Sequence, residues 1–150
     1  MRELPRQLTA EQLAELFEGR TRFVERLATV EDPLGQARAV ARELAEDEQK
    51  EVLGAHPAIG GKAASARSAR EQGTDDEPQV LAELAELNRA YEEKFGFRFV
   101  VFVDRRPRRE IIPILRERLR RTRTEELETG VDELVRIALD RWSTGRWRTS

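Results

Sequence analysis

His56 is the only histidine in the chain, set between Gly54, where a helical pattern ends, and the rigid Pro57. An imidazole titrates near neutrality and can both give and take a proton, which is what general acid/base work requires. The competing reading is a histidine that caps its helix or satisfies a buried polar contact. Further on, the run Ser68-Ala69-Arg70-Glu71-Gln72 would place a hydroxyl, a carboxylate and an amide together on one helical turn, a set suited to a polar, urea-like ligand. The same Ser-x-x-Glu spacing is also an ordinary capping box. Arg141 flanks the apolar stripe of the last helical segment, beside Trp142, where it can reach inward to clamp a carboxylate through two hydrogen bonds or snorkel to solvent. With no cysteine, disulfides, cysteine nucleophiles and thiolate metal sites are excluded.

These side chains need elements to hold them, and the apolar pattern supplies helices. Thr9 and Gln12 form a capping box with Leu8 placed to staple onto Leu13, which predicts a helix over residues 10–18 stopped by Gly19. A second short helix follows Thr21, and Asp32-Pro33 reads as an N-cap and first-turn proline. The stripe that opens there falters near residues 46–49, resumes at Val52 and Leu53, and ends at Gly54 as C-cap. Ala55 to Gly61 is a structured loop; residues 63–72 are consistent with one or two helical turns, and residues 73–78 with a linker. Leu81, Leu84, Leu87, Tyr91 and Phe95 define an amphipathic helix ended by Gly96. Residues 97–103, rich in β-branched and aromatic side chains, prefer extension but lack a second strand to pair with. Ile111 to Leu119 give a further helix with Pro113 tolerable only in its first turn, and Leu127 to Trp142 the last, with a frayed tail over 143–150. The expected fold is all-α: one domain of about seven helices with one extended insert.

Composition sets the class. Charged residues make up 37% and hydrophobic residues 39%, the balance of a helical surface laced with Arg/Glu pairs around a core. The arginine-rich stretch 105–123 invites a nucleic-acid reading, but interleaved Glu110 and Glu117 and a net charge of −2 favour a solvated helix surface and no nucleic-acid partner. No apolar run is long enough for a membrane span, and neither a leader nor a Ser-Lys-Leu-like ending is visible, so a soluble, cytoplasmic protein without a membrane partner is expected.

Taken in order, His56-Pro57, Gly60-Gly61-Lys62, Ser68-x-x-Glu71-Gln72, Leu87-Asn88-x-x-Tyr91-x-x-Lys94-Phe95-Gly96-Phe97, Phe99-Val100-Val101, Arg118-Leu119 and Ile137-Ala138-x-x-Arg141-Trp142 resemble the 2-oxo-4-hydroxy-4-carboxy-5-ureidoimidazoline (OHCU) decarboxylases. The resemblance implies an all-α, cofactor-free homodimer that acts on a small ureidoimidazoline in urate breakdown. It implies His56 and Glu71 as the catalytic pair; Pro57, Ser68, Gln72 and Arg141 as substrate-binding; and backbone contacts from Val101, Phe102, Val103 and on to Arg105. Val103-Asp104 departs from the family's small-then-basic pair, Ala58-Ile59 from its Asp-Leu, and Arg121 from its asparagine. Two other readings stay open: a non-catalytic helical interaction module that uses residues 105–123, and a same-fold enzyme acting on a related ureido substrate.

Overall fold

The computed structural model describes residues 4–59 and 77–145. Seven helices are present among them: α1 Ala10–Phe17, α2 Arg22–Leu27, α3 Pro33–Glu43, α4 Glu46–Gly54, α5 Pro78–Phe95, α6 Arg108–Arg118 and α7 Arg123–Thr144. Helix α7 packs against α1, α3 and α4, while α5 pairs with α6 and α2 bridges α1, α3 and α4. The turns expected over residues 63–72 and the linker at 73–78 fall outside the described residues, apart from Glu77 and Pro78, which lead into α5.

Local chemistry explains the starts. The Thr9 hydroxyl accepts from Gln12 N at 3.1 Å and the Gln12 side chain accepts from Thr9 N at 2.9 Å, while Leu8 and Leu13 are both buried in the core. Thr122 caps α7 with the same reciprocal pair, through Glu125, and the Thr21 hydroxyl caps α2 by accepting from Val24 N. Asp32-Pro33 does open α3, yet the Asp32 side chain caps nothing and its backbone is left-handed. The faltering stripe at residues 46–49 marks a real break. Leu44 and Ala45 are extended, and α4 restarts with Glu46, Asp47 and Glu48 in its first turn, where carboxylates complement the helix dipole. Gln49 ties the two helices together by donating to Ala41 O at 2.9 Å.

Three expectations are corrected. Helix α1 ends at Phe17, and Glu18, not Gly19, takes the left-handed turn at φ 66°. Gly54 is the last residue of α4, which Ala55 closes. Helix α6 starts at Arg108, so Pro113 sits at its sixth position instead of its first turn; Pro107 sets the start with a φ of −57°, and the ring removes only the bond that would reach Arg109 O.

Residues 97–103 are extended and form no strand, and Phe97, Phe99, Val100, Val101 and Val103 are buried in the core. The segment's polar backbone is held by side chains. Arg118 Nη1 donates to Val100 O at 2.7 Å, and Phe102 N donates to Glu133 at 3.2 Å. Here the solvated-surface expectation fails for one arginine. Arg118 is 5% exposed, lies 4.5 Å above the Phe99 ring and donates from Nε to Glu126 at 2.7 Å. Tyr91 OH and Arg121 complete the coordination of the Glu126 carboxylate at 2.7 and 2.9 Å. Burial raises the Tyr91 hydroxyl far above the usual phenol range, so it serves as a donor throughout.

Candidate active site

The site begins where α4 ends. His56 N donates to Leu53 O at 3.2 Å, continuing the helix by one turn, and Nδ1 lies 3.3 Å from Val52 O. A carbonyl can only accept, so Nδ1 carries the proton and Nε2 keeps its lone pair. His56 is 4% exposed, and Nε2 has no hydrogen-bond partner among the described residues. Burial, with the Arg141 charge second, pushes the imidazole down to about 4 against the pull of the Val52 carbonyl. A neutral imidazole results, its basic nitrogen unbonded among the described residues. Arg98 Nη1 donates to His56 O at 2.8 Å and fixes the loop from the far side.

Around it lies a cavity of about 50 Å³ lined by His56, Pro57, Ile59, the run Phe99 to Val103, Ile137 and Arg141. Arg141 is 1% exposed, so the snorkelling alternative is settled against. Its Nη1 donates to Leu16 O at 2.8 Å and its Nη2 to Glu18 at 2.9 Å, both from the C-terminal end of α1. A buried acid/base and a held guanidinium on one apolar cavity make a place where an anion can be bound and a proton moved.

Of the residues singled out in the sequence, the structure brings His56, Pro57, Val101, Phe102, Val103 and Arg141 to this cavity. Arg105 is exposed, outside the lining, in a turn where it and Asp104 both have positive φ. Ser68, Glu71 and Gln72, with Gly60, Gly61 and Lys62, lie outside the described residues. Sequence reasoning missed Glu18, Arg98 and Glu133, each of which holds a lining element through a contact remote in sequence. Only Glu18 carried a local signal, as a non-glycine residue next to Gly19 at a helix end.

A family model of the OHCU decarboxylases matches residues 2–143. The chain belongs to the OHCU decarboxylase family. It is 34% identical over 97 residues to the uric acid degradation bifunctional protein TTL of Arabidopsis thaliana, a match covering 58% of this chain and 30% of that protein. It is 30% identical over 113 residues to the 2-oxo-4-hydroxy-4-carboxy-5-ureidoimidazoline decarboxylase of Halalkalicoccus jeotgali, covering 71% of this chain and 64% of that one. The chain thus spans less than two thirds of the length of either relative. Among solved structures, an OHCU decarboxylase crystallised in the presence of (S)-allantoin superposes with a TM-score of 0.74 at 25% identity, over 89% of this chain and 96% of that one. An (S)-allantoin synthase superposes at 0.66 and 21% identity over 90% and 48%, which speaks for the fold alone.

Proposed function

We propose that this chain decarboxylates 2-oxo-4-hydroxy-4-carboxy-5-ureidoimidazoline to (S)-allantoin, with His56 as general acid/base. The observation that carries the reading is a buried His56 Nε2, without a hydrogen-bond partner among the described residues, set with Arg141 on one cavity of an OHCU decarboxylase fold. In that substrate the carbon that loses carbon dioxide bears a hydroxyl and adjoins a ring C=N bond. The C–C bond to the carboxylate breaks, its electron pair forms a C=C bond with the neighbouring ring carbon, and the imine nitrogen takes a proton. The hydroxyl then gives up its proton as the carbonyl of allantoin forms, and the ureido-bearing carbon is protonated on one face.

Arg141 is the group to receive the substrate carboxylate, and the buried apolar walls strengthen that pairing. An anion seated there offsets the Arg141 charge that depresses His56, so the imidazole becomes a better base when substrate binds. His56 Nε2 takes the hydroxyl proton and returns it to carbon. Glu71, with Ser68 and Gln72, is proposed to orient the substrate and the histidine, and the Val101–Val103 backbone to hydrogen-bond the ring.

The interaction-module alternative gains little support, because most arginines of residues 105–123 are engaged by this chain's own groups. Arg109 pairs with Glu77, Arg116 with Glu83, Arg121 with Glu126 and Arg123 with Glu46, while Arg106 donates to the carbonyls of Phe102 and Val103. The test is to generate the unstable substrate in situ from urate with the upstream enzymes and follow the circular dichroism of the allantoin formed. Rapid appearance of one optically active product is expected, slowed by about a hundred- to ten-thousand-fold in His56→Ala. Racemic product at the spontaneous rate would overturn the assignment.

A further inference from the structure

We propose that Glu18 is a positioning residue of the active site: from a left-handed backbone at the end of α1 it fixes the plane and charge of Arg141 for the substrate carboxylate. The proposal rests on the function just given, since it assigns Glu18 a task within that site.

The geometry is unusual for an ion pair that only fastens two helices. Glu18 adopts φ 66°, a conformation that side chains other than glycine, asparagine and aspartate rarely take, although Gly19 stands next in the chain. Backbone strain of this kind persists where surrounding contacts over-determine it. Here the turn brings the Glu18 carboxylate, itself buried, to 2.9 Å from Arg141 Nη2. The other terminal nitrogen, Nη1, is taken by Leu16 O, a carbonyl left open by the end of α1. Two acceptors two residues apart on one chain end therefore hold both terminal nitrogens, which fixes the guanidinium plane as a single contact would not. Gly19 adds to the placement. A Cβ at that position would lie 3.5 Å from the Cβ of Ala55, so the turn that carries Glu18 sits directly against the start of the His56 loop.

Glu18 also acts on His56 through space. The charged groups that act on the imidazole among the described residues are Arg141 and Arg98, which depress it, and Glu18, which raises it. Glu18 thus moderates the positive field that Arg141 imposes on the base. A purely structural strut would change stability when removed, and nothing else.

The experiment is Glu18→Gln in the full chain, assayed with the in situ substrate against wild type over pH 3 to 8, with folding checked by thermal melting at each pH. The amide keeps the shape and removes the charge. Expected are a tenfold or greater rise in KM with a smaller change in kcat, and an acid limb of kcat/KM displaced to lower pH than in wild type. Glu18→Gly, which the left-handed backbone favours, carries the same expectation and replaces the amide should that variant not fold. A folded variant with lowered melting temperature but wild-type KM and an unmoved acid limb would overturn the proposal and leave Glu18 a strut. A wild-type protein that gives no acceleration would instead overturn the decarboxylase reading, and this proposal with it.

Discussion

At the scale of single residues, burial decides what His56 can do. Its imidazole is pushed down to about 4 in the fold against an ordinary 6.5, so the folded and unfolded chains bind protons differently between those values. Above pH 6.5 both forms are neutral and the full stability is present. As pH falls through 6.5 the unfolded chain takes up a proton that the fold refuses until about 4, and stability drains away by about 1.4 kcal/mol per pH unit, about 3 kcal/mol in all. Urea titrations of wild type and His56→Gln across this window should show a wild-type slope steeper by about one proton. Parallel curves would mean that the imidazole protonates in the fold as easily as in the unfolded chain. Glu18, Arg141 and Arg98 set the same balance, and no spacing rule links them to His56, because they converge from three separate stretches of chain.

At the scale of elements, the close approach of α4 to α7 fixes the height of His56 in the bundle. Gly130, an apparent flaw in the stripe of the last helix, is explained by Leu53: a Cβ at Gly130 would lie 3.0 Å from Leu53 Cδ2. Gly130→Ala gains about 1 kcal/mol of helix propensity but overpacks at a cost of about 1–3 kcal/mol against a fully buried side chain. A net loss, seen as a lower melting temperature, is the expected outcome, with reduced turnover because Leu53 and Val52 carry the two carbonyls that hold His56. A stabilised variant would show that Leu53 yields freely. The helices themselves were legible: capping boxes and three- and four-residue apolar steps are local signals, and Thr9, Leu84 and Tyr91 carried them plainly. Where the chain obeyed a distant partner the reading slipped. Glu18, paired with the distant Arg141, takes the turn expected at Gly19, whereas Pro113 lies inside a helix whose start is set by a local signal, Pro107.

At the scale of the whole molecule, one carboxylate gathers three helices and the extended segment that lines the cavity. Glu126 of α7, fully buried, receives Tyr91 from α5, Arg118 from α6 and Arg121 from the turn between α6 and α7, while Arg118 passes on to Val100 of the extended segment. Removing one partner of a buried ion network leaves a charge uncompensated, so Glu126→Ala should lose about 3–5 kcal/mol, read as a lower urea midpoint. A midpoint within error of wild type would show the network to be idle. Composition gives no hint of this: Arg118 belongs to a stretch whose sequence reads as solvated surface, and although Arg118-Leu119 is one of the motifs of the family resemblance, its burial is visible only in the fold. Arg121, at the position where the sequence departs from the family pattern it resembles, bonds Glu126 and Thr129 at 2.9 Å each.

The extended segment offers a last consequence. Its main-chain atoms are pinned by Arg118 and Glu133, and every residue from Phe99 to Val103 lines the cavity. A wall of this kind separates two properties that usually change together: its hydrogen-bonding menu belongs to the peptide backbone, and its contour belongs to Val101, Phe102 and Val103. Exchanging those three side chains would recut the mould without rewriting its polar vocabulary, which makes them the natural positions at which to reshape this cavity for a bulkier or slimmer occupant.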